Sequence, residues 1–173
     1  MYKVIFLFFI FNGLAAQCDA QRLKVMLLKD GNILYYVRGM EMKGKSSHTG
    51  VLDMTYIHQD TIPKTVRVNL TIESRRHGGL PDSVLFEETG CVIPPEVKSE
   101  LFYIDTLNRG FRTRASYRIP VGLFKECFLV KDLSLKVFYG SDSYRFKHKR
   151  REKKYYNYIL EEFEMEFGWN SKS

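Results

Sequence analysis

The segment that most restricts this chain is Thr65–Ser74, TVRVNLTIES, where Val66, Val68, Leu70 and Ile72 alternate with Arg67, Asn69, Thr71 and Glu73. Successive side chains of a strand point to opposite faces, so this spacing gives one apolar, largely β-branched face and one polar face. A strand of that kind belongs to an antiparallel sheet covered on one side and wet on the other. Residues 22–29 and 33–42 flank Asp30-Gly31-Asn32, a hairpin signal because Gly tolerates positive φ. Residues 51–57, 83–88, 113–119 and 127–139 read as further strands, separated by turns such as RRHGGLP at 75–81. In residues 156–167, Phe163, Met165 and Phe167 alternate with Glu162, Glu164 and Glu166, which predicts a last strand. Pro94-Pro95 followed by Val97, Leu101, Ile104 and Leu107 predicts one helix over residues 96–107. The expected fold is mainly β: an antiparallel β-sandwich of about eight strands with one helix.

The N-terminus sets the compartment. Lys3 precedes the apolar run VIFLFFIF at residues 4–11, and small residues follow at Ala15, Ala16, Cys18 and Ala20. Such a run is too short to cross a bilayer, which needs about 20 apolar residues, and has the form of a secretory signal. Cleavage fits after Ala16 or after Ala20. Residues 1–20 are thus expected to leave a secreted, extracellular chain, 21–173, of a size usual for one domain and without a transmembrane anchor. Hydrophobic content of 45% argues against disorder. In an oxidising compartment Cys91 and Cys127 are expected to pair, whereas Cys18 leaves with the signal or stays at its edge. Asn69-Leu70-Thr71 is a glycosylation sequon whose Asn69 points away from the apolar face.

Net charge is +7, and residues 145–154 (RFKHKRREKK) concentrate it in Arg145, Lys147, Lys149, Arg150, Arg151, Lys153 and Lys154. Three readings stay open: a solvated loop between the last two strands, a patch for an extracellular polyanion, acidic lipid or receptor, and a basic processing site at 149–151. Nucleic acid is not expected as a partner outside the cell. His48, His58, His77 and His148 lack paired ligand spacing, and Cys-x-x-Cys, calcium-loop and Gly-x-Ser-x-Gly patterns are missing from the sequence. No metal, cofactor or catalytic residue is therefore expected, and the chain reads as non-enzymatic. Aromatic residues make up 14% of the chain. Phe86, Phe102, Phe111, Phe124, Phe138 and Phe163 are either core packing or the lining of an apolar ligand cavity.

The block VRVNLTIE, RRHGGLP, VLFEETGC and, 36 positions after Cys91, ECFLVKDLSL resembles the insect chemosensory CheA/CheB-like secreted proteins, near the lipid-recognition (ML) group that includes the ganglioside activator. The resemblance covers about 70 residues in which Cys91 and Cys127 hold the family's placement. It implies a β-sandwich cup that holds a lipid or other hydrophobic ligand between two sheets, in chemosensory or reproductive fluid, without enzymatic activity.

Overall fold

The computed structural model describes residues 23–45, 48–58, 65–93, 97 and 99–169. The expected signal, residues 1–20 with Cys18, lies outside the described residues, as does the Pro94-Pro95-Glu96 step. The strands are β1 (Leu23–Leu27), β2 (Ile33–Gly44), β3 (Thr49–His58), β4 (Thr65–Ser74), β5 (Ser83–Phe86), β6 (Cys91–Ile93), β7 (Ser99–Leu107), β8 (Gly110–Pro120), β9 (Ser134–Tyr139) and β10 (Asp142–His148). Helix α1 is Val121–Phe128 and helix α2 is Arg150–Phe167.

The antiparallel, mainly β class is as expected. The strands hydrogen-bond in one continuous path, β6-β5-β9-β10-β2-β3-β4-β8-β7, which curls into a half-barrel. Strand β1 pairs with the first half of β2, and β10 pairs with its second half along the same edge. A register shift between Val37 and Met40 separates the two halves. Gly39 sits in that bulge, where a Cβ would lie 2.7 Å from Val51 Cγ1. An extra residue bends a strand locally, which lets β2 serve two partners in turn. The hairpin at Asp30-Gly31-Asn32 forms as expected, with Leu27 opposite Ile33 and Gly31 at φ 83°.

Strand β4 is the predicted element. Its Val66, Val68, Leu70 and Ile72 enter the core with Leu52 and Met54 of β3 and Ala115, Tyr117 and Ile119 of β8. Leu135, Val137 and Phe146 join from the other arm, and α1 and α2 add Phe124, Phe128, Tyr156, Ile159, Leu160 and Phe163. The buried Tyr156 hydroxyl donates to the carbonyl of Phe128 and ties the helices together.

Two elements differ from expectation. Residues 156–167 belong to α2, because Glu152, Tyr156, Ile159, Leu160 and Phe163 are its buried positions. Their spacing of three and four is helical, and Met165, inward on a strand, is 72% exposed. Gly168 ends the helix at φ 62°, its N–H bonded to the Glu164 carbonyl, a left-handed stop that suits glycine. Residues 99–107 of the expected helix form β7 instead, since Leu107 and Gly110 close a two-residue turn and zip the segment onto β8. The aromatic and β-branched run Phe102-Tyr103-Ile104 favours that extended form. The front of the expected 127–139 strand is also corrected: Cys127 and Phe128 end α1, and the strand begins at Ser134.

Cys91 and Cys127 form a disulfide, with Cα atoms 5.3 Å apart, that joins edge strand β6 to α1. Replacing both by alanine is expected to lower the unfolding free energy by about 4 kcal/mol, the chain-entropy scale for closing a loop of this length. Urea titration of the wild-type and double-alanine proteins reads it; coincident curves contradict a stabilising bridge.

Candidate functional site

The basic segment 145–154 is the end of β10 and the first turns of α2 rather than a loop. Its cations draw partners from distant parts of the chain. Arg145 bonds Glu87 at 2.5 Å, Lys149 and Arg151 share one oxygen of Glu41 at 2.5 and 2.6 Å, and Lys153 pairs with Asp132. Hydrogen bonds from Lys149 and Arg151 hold the Glu41 carboxyl below its usual range, the Lys149 bond contributing most, and Arg145 does the same for Glu87. Arg151 also reaches Glu152, whose side chain is 1% exposed. Five carboxylates, Glu41, Glu87, Glu88, Asp132 and Glu152, thus lie near the seven cations of the segment, which retains positive charge.

Lys147, His148, Arg150 and Lys153 line a groove of about 350 Å³ whose other wall is Glu88, Asp132, Leu133 and Ser134. His148 forms its floor, with its ring 4.6 Å from that of Tyr156 and a buried Nε2 that has no hydrogen-bond partner. Burial lowers its pKa to about 4, so the imidazole is neutral at physiological pH. The groove's positive groups are therefore Lys147, Arg150 and Lys153, set against Glu88 and Asp132.

The six phenylalanines do not converge on one cavity. Phe86, Phe124 and Phe163 belong to the packed core, with Phe86 and Phe124 at 4.3 and 4.8 Å from the Phe128 ring and Phe124 at 6.3 Å from Phe163. Phe102 is exposed on β7, Phe111 packs beside Gly78, and Phe138 lies under the Lys136 ammonium. Asn69 points away from the apolar face as expected, yet it is 5% exposed and its Nδ2 donates to Asp53 Oδ1 at 2.6 Å. Arg114 bonds both oxygens of Asp53 and the Thr71 hydroxyl, and covers this part of the outer face. A glycan at Asn69 would have to take the nitrogen that this network already uses.

A second polar constellation is assembled from four separate segments. His77 Nδ1 lies 2.6 Å from the Tyr144 hydroxyl, and its Nε2 lies 3.4 Å from Asp142. The ring stacks on Tyr139 at an interplanar angle of 11°, and His48 lies 4.6 Å from the Tyr144 ring. Ser74 fixes the turn: its hydroxyl donates to the His77 carbonyl and accepts the His77 N–H. With the Nε2 proton directed at Asp142, Nδ1 accepts from Tyr144, which orients the phenol. The sequence signal was RRH at 75–77, which periodicity had marked only as a turn. Among the described residues no group of three or more His, Cys, Asp or Glu is placed to hold a metal, and no helix is long and apolar enough to cross a membrane.

Compared with protein-family models, curated proteins and solved structures, the chain matches none.

Because the folded pKa of His148 lies below its unfolded value near 6.5, the unfolded chain binds the extra proton first on acidification. The stability held in neutral His148 is complete above pH 6.5 and falls as pH drops toward 4, by up to roughly 3 kcal/mol at 1.36 kcal/mol per unit. In NMR titration its ring protons should stay unshifted from pH 8 to 5. A midpoint near 6.5 contradicts the buried neutral ring.

Proposed function

We propose that the protein is an exported, non-enzymatic interaction module that engages an extracellular polyanion through residues 145–154. The observation that carries this reading is the excess of the segment's seven cations over the five carboxylates near them, with Lys147, Arg150 and Lys153 on one groove. Exposed ion pairs contribute about 0–1 kcal/mol each, so pairs such as Lys149–Glu41 and Lys153–Asp132 order the side chains yet yield easily to a denser anion. Placement on a strand end and a helix, rather than a free loop, keeps the cations in fixed relative positions and lowers the entropy lost on binding. Immobilised heparin should retain the protein, and Lys147→Ala/Arg150→Ala/Lys153→Ala should elute at clearly lower salt. Unchanged elution of the triple variant removes the groove from the interaction.

A second reading is a lipid-like or other hydrophobic ligand on the concave side, in chemosensory fluid, with the two arms of the curled sheet acting as the walls of a sandwich-like cup. It is supported by Tyr117 and Tyr139, whose hydroxyls are buried on the concave face without hydrogen-bond partners. Buried polar groups are normally satisfied, and the head of an otherwise apolar ligand would supply what these two lack. Solvent extraction of the purified protein and mass spectrometry should then recover a stoichiometric lipid, displaceable by a fluorescent fatty acid. Clean extracts with no displacement exclude this reading.

A further inference from the structure

Strand β1 carries apolar side chains that the rest of the sheet leaves uncovered. Among the described residues it pairs with β2 alone, so its other edge is open. Leu23 is buried, but Val25, Met26 and Leu27 are 56%, 47% and 77% exposed. Leu28 follows half-buried, and its carbonyl accepts the Gly31 N–H that closes the hairpin. Exposed lysines stand at both ends of this run, Lys24 before it and Lys29 after it. Monomeric proteins rarely leave contiguous apolar surface of this kind without a partner for it.

The register shows how the patch continues. Val25 opposes the buried Tyr35 and so has the phase of the core side, whereas Met26 opposes Leu34 and has the phase of the convex side. Apolar surface therefore wraps around the margin. Leu34 in turn opposes Ile57, which is 40% exposed. Met26, Leu34 and Ile57 thus form one row across three strands, about 10 Å long at a strand spacing of about 4.8 Å.

Cations line the next row of the same face, two residues or about 7 Å along each strand. Lys24, Tyr36, Thr55, Arg67 and Arg118 lie there, each directly opposite its neighbour. Arg118 also reaches Glu100 at 3.5 Å. Asp30, in the hairpin turn, accepts hydrogen bonds from the Asn32 backbone and side chain. Glu166 of α2 accepts from the Tyr35 hydroxyl on the core side, so the sheet itself separates its charge from the convex row.

We propose that β1, with Leu34 and Ile57 beside it, is an interfacial anchor for an anionic lipid surface. Val25, Met26 and Leu27 sit at the boundary between headgroups and acyl chains, and Lys24, Lys29 and Arg67 meet lipid phosphates around them. Lysine suits the ends of the run because its stem lies along apolar surface while its ammonium reaches the headgroups. Shallow placement keeps the open backbone edge of β1 within reach of water, which the hydrocarbon interior would not. A second copy fits less well. The antiparallel register that matches Val25 with Leu28 and Met26 with Leu27 also sets Lys24 against Lys29 twice, and like charges directly opposed destabilise a strand pair. The anchor is separate from the groove at Lys147, Arg150 and Lys153 and does not depend on what that groove binds.

Co-sedimentation of the purified protein with vesicles of equal parts phosphatidylcholine and phosphatidylserine, and with vesicles of phosphatidylcholine alone, tests the proposal. Binding to the anionic vesicles is expected, weaker on the neutral ones, and Met26→Thr/Leu27→Thr should reduce it roughly tenfold or more. Lys147→Ala/Arg150→Ala/Lys153→Ala should retain most of it. Met26→Trp should acquire fluorescence that brominated phospholipids quench, with the buried Trp169 of the wild type as background. Absence of binding to anionic vesicles, equal binding by Met26→Thr/Leu27→Thr, a loss in the groove variant as large as in that variant, or no quenching at position 26 would each overturn the anchor. So would a dimer in sedimentation velocity that Met26→Thr/Leu27→Thr abolishes while lipid binding is missing, since the edge would then serve a second copy. Circular dichroism of the variants confirms that they are folded.

Discussion

Everything in this molecule depends on covering the concave face of a one-layer sheet. A sheet with a continuous apolar face is stable in water only when another layer lies against it. Here β4 and its neighbours offer Val66, Val68, Leu70, Ile72, Ala115 and Ile119, and the cover is supplied by α1, α2 and the sheet's own curl. The hydrogen bond from Tyr156 to the Phe128 carbonyl sits where the two helices meet, so each fixes the other's position. Glu152, nearly inaccessible at the start of α2, places a negative charge at the positive end of the helix dipole.

The outer face follows another rule. Where a solvated polar face was expected on β4, Asp53, Asn69, Thr71 and Arg114 form a layer of hydrogen bonds that shields much of it. Directly opposite positions on neighbouring strands bring these groups together: Asp53 opposes Asn69, and Thr71 opposes Arg114. Cross-strand pairs of this kind fix register, because a slip by one residue would bring apolar groups outward and carboxylates inward.

How much was legible depended on whether a pattern allowed one period or two. The alternation in β4 runs for ten residues and permits only a strand, and the Asp-Gly hairpin was equally plain. Residues 162–167 fit a strand when read alone. Their helical register becomes visible only when the window reaches back to Glu152 and Tyr156, across the charge run that had been taken for a boundary. Leu101, Ile104 and Leu107 fit a helix locally, and pairing with β8, a partner outside any local window, overrode that spacing. The cationic segment was visible from composition, whereas its counter-charges Glu41, Glu87 and Asp132 come from elsewhere in the chain. The cluster at His77 was hidden for the same reason, since Tyr144 and His48 approach it only through the sheet order.

The bridge between Cys91 and Cys127 has a mechanical consequence. Strand β6 lies at one margin of the sheet, and α1 leaves directly from β8, next to the opposite margin. The bond therefore acts as a drawstring across the mouth of the half-barrel. Opening the sheet to a flatter curvature would pull on a covalent link, so the protein can loosen at its exposed β7 margin and at its turns while its curvature stays set.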